Sequence, residues 1–243
     1  MQAKNVNIKN YSNKLIVFIL IESCLYCYFL YLDFYQIAPI TSSYVKFLSI
    51  SLCAFFLFFI NESSSRFPYL RLTKITLILT FFADIFLLFT DYYTPGIWLF
   101  IIIQGCYRIR LRSDQMLKQY YRAAIYYFLP CLFLLLFTNI SFNLSFLSAL
   151  FYFICLLLNV FTCLKLLRNS QTHILKKTFC IGVIFLFFCD IQVGISNISS
   201  YINIGLNNAF LPFLLNFASI GMWFFYLPSQ IIITVCGILA PYK

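Results

Sequence analysis

Long apolar runs separated by short polar stretches make up most of this 243-residue chain. A transmembrane helix needs about 20 mostly apolar residues. Runs that meet this requirement occur at 14–32, 44–60, 72–90, 95–111, 122–138, 144–164, 178–197 and 214–238. Apolar residues are continuous within the runs, which favours helices over strands. The pattern predicts an all-α fold, a polytopic transmembrane helix bundle of about eight helices that forms one domain over residues 1–243.

The final apolar region, which starts at Ala209, is too long for one perpendicular span. It contains Pro212 and Pro228, and a proline in a helix interior removes a backbone donor. The region therefore predicts a kink, a tilt or a short re-entrant piece before the last span.

Basic residues are concentrated in alternate connections between the predicted spans. Sixteen of the 17 lysines and arginines lie in the two termini or in every second connection, and the exception is Lys46, at the start of the second span. Cytoplasmic loops carry the excess of basic residues, and a missed or extra helix would scramble the alternation. We therefore expect eight spans with both termini cytoplasmic, in the plasma (inner) membrane.

Composition and charge exclude other classes of protein. Hydrophobic residues make up 63% of the chain and charged residues 10%, against about 45–50% and about 25% in soluble domains. The net charge of +10 lies in patches between apolar runs, without a basic stripe interleaved with exposed aromatics. This distribution argues against nucleic-acid binding.

Cysteine and histidine usage predicts neither a metal site nor a cofactor. Most of the 10 cysteines lie inside apolar runs, where cysteine acts as a small hydrophobe. Cys24 and Cys27 have CxxC spacing, but no second Cys or His pair accompanies them. The one histidine, His173, lies in a basic loop, which leaves little for a zinc site or a catalytic triad.

Three acidic residues lie inside predicted spans, namely Glu22, Asp84 and Asp190. Intramembrane acids normally face the bundle interior and mark functional sites, although a neutral, hydrogen-bonded acid can also join helices. Both interpretations stay open for Glu22. Asp84 and Asp190 lie in matching segments, Phe-Phe-Ala-Asp-Ile and Phe-Phe-Cys-Asp-Ile. The spans of these two segments run in one direction, so we expect both carboxyl groups to reach similar depth and to face one cavity.

Other polar residues in the spans are candidates to join the two acids. Gln104 and Tyr107 share one helix face, and Tyr226 and Gln230 share another. Glutamine and tyrosine can bind a carboxylate or a substrate oxygen, but hydrogen bonds between helices are an equal alternative. Asn159 and Asn216 are expected to be structural.

At these residues the sequence resembles the YhhN family of membrane proteins, which includes the lysoplasmalogenases. The matched residues are Ala83–Leu88, Gly96, Phe100, Gln104, Tyr107, Tyr152–Leu167, Gly182, Phe185, Cys189, Asp190, Tyr226 and Gln230. Lys46 stands where the family tends to carry Lys-Pro. The chain departs from the family pattern in four places: Ala83 replaces Gly, Gln104 replaces His, Cys189 replaces Ser and Phe47 replaces Pro.

The resemblance implies hydrolysis of the vinyl ether of a lysoplasmalogen to a fatty aldehyde and a glycerophospho-base. Asp84 and Asp190 would be catalytic, and Gln104, Tyr107, Tyr226, Gln230 and Lys46 would bind the membrane-lipid substrate. An acid protonates the β-carbon, a carboxylate stabilises the oxocarbenium ion and activates water, and no metal is needed. The alternatives are a non-catalytic member that binds lipid or a partner, as the missing His would suggest, and a small-solute or proton-coupled transporter.

Overall fold

The computed structural model describes residues 8–58, 68–90, 92–111, 144–197 and 210–239. Over these ranges the chain is helical, without a strand. The helices are α1 (Ile8–Phe34), α2 (Pro39–Phe58), α3 (Pro68–Phe89), α4 (Tyr93–Leu111), α5 (Leu144–Arg168), α6 (Ile174–Asn197) and α7 (Phe210–Ile238). The span predicted at 122–138 lies outside the described residues.

Six of the described helices are long and apolar enough to cross a membrane, and α4 is not among them. This helix has 19 residues, and Arg108 and Arg110 near its end lower its mean hydropathy. The helices confirm that the chain is an integral, multi-pass membrane protein. The first helix, α1, extends beyond the run predicted at 14–32 and carries Asp33 in its last turn.

Apolar side chains cover the outside of the bundle, while polar side chains lie within it. Ile40 is 73% exposed and Phe34 is 71% exposed, whereas Glu22, Thr80 and Gln104 are fully buried. Lipid solvates apolar surfaces but offers no hydrogen bonds to polar groups. The distribution of side chains therefore suits a bundle surrounded by lipid.

The last apolar region forms one continuous helix, α7, with Pro228 in its interior. A re-entrant piece is therefore absent between Phe210 and Ile238. Proline lacks the N–H that would bond the carbonyl one turn earlier, and the hydroxyl of Tyr26 on α1 donates to that carbonyl, of Phe224, at 3.0 Å. The carbonyl freed by the proline thus joins α7 to α1.

Successive described helices pack against each other, and α7 also packs on α1, α2 and α3. At one end of α7, a Cβ atom added to Gly237 would approach the side chain of Thr73 on α3 to 2.7–2.9 Å. A glycine is needed at this crossing because small residues let membrane helices approach closely. The seventh helix therefore holds both halves of the bundle together.

Hydrogen bonds establish the relative directions of the helices. The α4 and α5 helices run parallel, because Thr94 pairs with Ser145 at 2.5 Å and Arg108 donates to the Leu158 carbonyl at 3.1 Å. The end of α4 and the start of α5 consequently lie at opposite ends of the bundle. In contrast, α1 and α7 are antiparallel, because Tyr26 bonds the Phe224 carbonyl and Gln36 bonds Asn216.

Because of these helix directions, most basic side chains of the described residues lie at one end of the bundle and the acidic side chains lie away from it. One end of the bundle, named here the basic end, carries Lys14, Arg71, Lys74, Arg108, Arg110, Lys165, Arg168, Lys176 and Lys177. Lys46 lies towards the opposite end, in the first half of α2. The described acids Glu22, Asp33, Asp84 and Asp190 all lie away from the basic end.

Candidate functional site

Asp84 lies in the interior of the bundle, towards the end of α3, and is only 3% exposed. The hydroxyl of Tyr226 on α7 is its hydrogen-bond partner. This hydroxyl lies 3.0 Å from Oδ1 and 2.9 Å from Oδ2, so one donor is shared between both carboxyl oxygens. The contact joins α3 to α7 and brings two residues predicted for the site together.

Asp190 lies at a similar position towards the end of α6 and is partly buried. The hydroxyl of Tyr152 on α5 donates to Asp190 Oδ2 at 2.6 Å. This distance lies within the range of about 2.5–2.7 Å for a hydroxyl that donates to a carboxylate. Each of the two matched acids is therefore held by a tyrosine from a different helix.

Phe100 on α4 links the two acid–tyrosine pairs. Its ring packs edge-on against Tyr152 at 5.8 Å and against Tyr226 at 6.5 Å, measured between ring centroids. Cys189, next to Asp190, lies within electrostatic range of both carboxyl groups. We name the five residues Asp84, Asp190, Tyr152, Tyr226 and Phe100 the acid centre.

Gln104 is fully buried on α4 and contacts the acid centre through Tyr152. Its Nε2 atom lies 3.5 Å from the Tyr152 hydroxyl, at the long limit of a hydrogen bond. Asn159 of α5 donates through Nδ2 to Gln104 Oε1 at 2.9 Å and to the Gln104 backbone carbonyl at 3.0 Å. Two amide side chains are thus connected to Asp190 through one tyrosine.

Tyr107 and Gln230, also predicted for the site, are buried without a hydrogen-bond partner for their side chains among the described residues. Tyr107 is 2% exposed, Gln230 is fully buried, and the ring of Tyr107 packs edge-on against Phe179 at 5.5 Å. Tyr107 lies within electrostatic range of Asp190. The structure thus brings both residues into the interior near the acid centre but leaves their polar atoms unsatisfied among the described residues.

Lys46, the remaining residue predicted for the site, lies outside the acid centre. Its ammonium group forms an ion pair with Asp33 at 2.8 Å. It also lies 5.2 Å from the ring centroid of Trp223, which packs edge-on against Tyr226 at 5.2 Å. Trp223 therefore separates Lys46 from the tyrosine that holds Asp84.

Glu22 occupies a second buried polar cluster, between α1 and α2. It is fully buried and accepts hydrogen bonds from the hydroxyl of Ser49 and, at 3.5 Å, from the thiol of Cys53. Both donors lie on α2, so these contacts join neighbouring helices. This environment favours the structural interpretation of Glu22.

Two residues of this site were not identified from sequence. The sequence places Tyr152 only within a segment that resembles the YhhN family, Tyr152–Leu167, and predicts a structural role for Asn159. The signal that could have found them is their spacing, because residues two helical turns apart lie on one face. Which neighbouring helix this face contacts, however, depends on how the helices pack together.

Among the described residues, hydroxyl groups rather than charged groups hold the two acids. The one ion pair among the described residues is that of Lys46 with Asp33. Within the same part of the chain, no group of three or more His, Cys, Asp or Glu side chains is arranged to hold a metal ion. A hydroxyl can donate to a carboxylate and accept from a carboxylic acid, so this environment accommodates both protonation forms.

Comparisons of the chain with known protein families, with curated proteins and with solved structures found no match. The resemblance to the YhhN family therefore stays a prediction based on short motifs.

Proposed function

We propose that the chain is a lysoplasmalogenase-like membrane hydrolase that uses Asp84 and Asp190 as its acid/base pair. It would cleave the vinyl ether bond of a lysophospholipid-type substrate into a fatty aldehyde and a glycerophospho-base. The observation that carries this proposal is the acid centre, in which two interior carboxyl groups are held by separate tyrosines around one phenylalanine ring. Paired carboxyl groups in a poorly solvated site can divide the roles of acid and base between them.

The chemistry requires one protonated and one ionised carboxyl group. The acid protonates the β-carbon of the vinyl ether, which leaves an oxocarbenium ion that the carboxylate stabilises. Water then adds to the cationic carbon, and the hemiacetal collapses to aldehyde and alcohol. Glycosidases pass through a related cation with two carboxyl groups.

The remaining predicted residues would bind the substrate. The unpartnered polar atoms of Tyr107 and Gln230 support this role, because leaving a buried polar group unsatisfied costs about 1–3 kcal/mol. Oxygen atoms of a bound lipid would supply the missing partners. Gln104 and Tyr226 line the same interior region, and Lys46, towards the end opposite the basic end, would meet the phosphate of the head-group.

We also propose that the bundle has eight spans, with both termini in the cytoplasm of a plasma (inner) membrane. The parallel direction of α4 and α5 supports eight spans, because Leu111 and Leu144 lie at opposite ends of the bundle. The basic end supports the orientation, since basic residues concentrate in cytoplasmic loops.

Reporter fusions test this topology. A reporter after Asn143 should give an external signal. One placed in the loop between Arg168 and Ile174 should give a cytoplasmic signal. Signals from the same side at both positions would contradict the eight-span topology.

A transporter is the competing function, since transporters also carry acids in their spans. Transporter sites are typically formed by helices that break at the binding site. Both α3 and α6 continue without a break through Asp84 and Asp190, which favours the hydrolase.

Release of aldehyde by the purified protein is the direct test. We expect free fatty aldehyde from a lysoplasmalogen in detergent micelles or vesicles. The matched control is the lysolipid with a saturated ether, which has no double bond to protonate and should stay intact. A folded protein that releases no aldehyde from any lysoplasmalogen would contradict the hydrolase and favour a transporter or a non-catalytic lipid- or partner-binding protein.

A further inference from the structure

Asn159 determines which way the amide of Gln104 points. Its Nδ2 atom lies 3.0 Å from the backbone carbonyl of Gln104 and 2.9 Å from Gln104 Oε1. A backbone carbonyl can only accept a hydrogen bond, so the Asn159 atom at this place must be the donating nitrogen. The Gln104 atom facing it must then be the oxygen, because a flipped amide would bring two donors together.

The orientation of the Gln104 amide also sets the direction of the hydrogen bonds that lead to Asp190 in the acid centre. With Oε1 facing Asn159, the NH2 group of Gln104 faces the Tyr152 oxygen at 3.5 Å. The hydrogen of Tyr152 is therefore directed away from Gln104, towards Asp190 Oδ2 at 2.6 Å. Hydrogen bonds thus run in one direction from Asn159 through Gln104 and Tyr152 to Asp190. We name the first three of these residues the donor chain.

In the described part of the chain, Asp84 has no equivalent of the donor chain. The Tyr226 hydroxyl divides its single hydrogen between two oxygens at nearly equal distances, 2.9 and 3.0 Å. Among the described residues, no side chain donates to the Tyr226 oxygen in turn. Hydrogen bonds donated to a carboxylate favour its charged form.

We propose that Asn159, Gln104 and Tyr152 are positioning residues that hold Asp190 as the carboxylate, and that Asp84 is the carboxylic acid of the pair. The catalytic meaning of this assignment rests on the proposed function. The assignment itself depends only on the direction of the donor chain. Hydrogen bonds in a chain polarise and strengthen one another. Removing one residue of the donor chain should therefore favour protonation of Asp190 and leave the protonation of Asp84 unchanged.

The assignment completes the proton balance of the proposed reaction. Asp84 gives its proton to the β-carbon, and water adds to the oxocarbenium carbon while its proton passes to Asp190. In the collapse of the hemiacetal, Asp190 returns a proton to the ether oxygen as the C–O bond breaks. The hemiacetal hydroxyl gives its proton to Asp84 as the aldehyde forms. The net reaction consumes one water and restores both carboxyl groups.

Infrared difference spectra of the full chain in vesicles test the assignment without a substrate. A protonated carboxylic acid has a carbonyl stretch that a carboxylate lacks. We expect Asp84→Asn to lose one protonated-acid band and Asp190→Asn to lose carboxylate bands only. Glu22 contributes equally to all of these spectra and cancels. Loss of a protonated-acid band in Asp190→Asn, or its retention in Asp84→Asn, would overturn the assignment.

Two matched tyrosine variants test the donor chain. Tyr152→Phe removes the last link and should add a protonated-acid band from Asp190, while Tyr226→Phe should add none. Asn159→Leu should also add a protonated-acid band from Asp190. This second variant keeps the test valid if Tyr152→Phe does not fold. An unchanged Asp190 signal in folded Tyr152→Phe would exclude the donor chain. An inactive wild-type protein with the expected spectra would contradict the hydrolase and leave the assignment standing.

Discussion

The segments around Asp84 and Asp190 have nearly the same sequence but different surroundings. Both acids follow two phenylalanines and a small residue and lie towards the same end of parallel helices. Asp84 is almost fully buried and shares a single hydroxyl donor, whereas Asp190 is partly exposed and receives a short hydrogen bond. The comparison shows that a local motif sets the depth of a side chain, while facing helices determine its chemistry.

The difference between the two segments originates in the helices that face them. Asp84 on α3 meets α7, which presents Tyr226, and Asp190 on α6 meets α5, which presents Tyr152. Of these two tyrosines, Tyr152 is the one that a buried amide, that of Gln104, backs within the described part of the chain. Two similar carboxyl groups thereby acquire the unequal environments that an acid/base pair requires.

The largest expected effect comes from removing either carboxyl group. Asp84→Asn and Asp190→Asn should each lower the rate of aldehyde release at least about a hundredfold, because general acid–base catalysis contributes about 10²–10⁴-fold. Folding should survive, since a neutral amide is easier to keep in a membrane than a charged group. Initial rates with a lysoplasmalogen, together with thermal unfolding of each variant, provide the measurement. Full activity in both variants would exclude the acids from the mechanism.

A smaller and unequal effect should follow from removing each tyrosine hydroxyl. A hydrogen bond to a charged group contributes about 1.5–3 kcal/mol and a neutral one about 0.5–1.5 kcal/mol. Tyr152→Phe should therefore lower the rate about 10- to 100-fold, against about 2- to 10-fold for Tyr226→Phe. Comparing initial rates at saturating substrate measures the ratio. A larger loss of rate in Tyr226→Phe than in Tyr152→Phe would indicate that Asp84 is the carboxylate and Asp190 the acid.

Gln104 offers a matched pair of substitutions with still smaller effects. Neutral histidine has one donor and one acceptor nitrogen, so Gln104→His can keep the direction of the donor chain, and activity should be unchanged or raised. Gln104→Leu has neither group and should lower the rate about two- to tenfold. The same aldehyde assay compares both variants. Equal losses in the two would show that only the shape of Gln104 matters.

Glu22 is the control carboxyl group for both segments and should show the smallest effect. It is as buried as Asp84 but contacts Ser49 and Cys53 rather than a tyrosine of the acid centre. Glu22→Gln keeps the shape and an acceptor oxygen, so aldehyde release should stay within about twofold of the wild type. A loss comparable to that of Asp84→Asn would place a third acid in the mechanism.

Much of the architecture was predictable because the membrane simplifies the problem. Long apolar runs must become helices in lipid, where backbone groups need internal partners, and each described helix covers most of one run predicted between 14 and 111 or from 144 onward. The termini of helices were less predictable. The first predicted run ends at residue 32, whereas α1 continues to Phe34 and includes Asp33, which pairs with Lys46 at 2.8 Å.

The sequence by itself determined that the chain is a multi-pass membrane protein and that Asp84 and Asp190 lie inside it. Apolar length and charge spacing are local properties, and the bilayer acts on them directly. Only the tertiary structure decided that Tyr226 and Tyr152 hold these acids, that Asn159 orients Gln104, and that Lys46 pairs with Asp33. These contacts join residues far apart in the chain, and the faces that meet depend on how all the helices pack together.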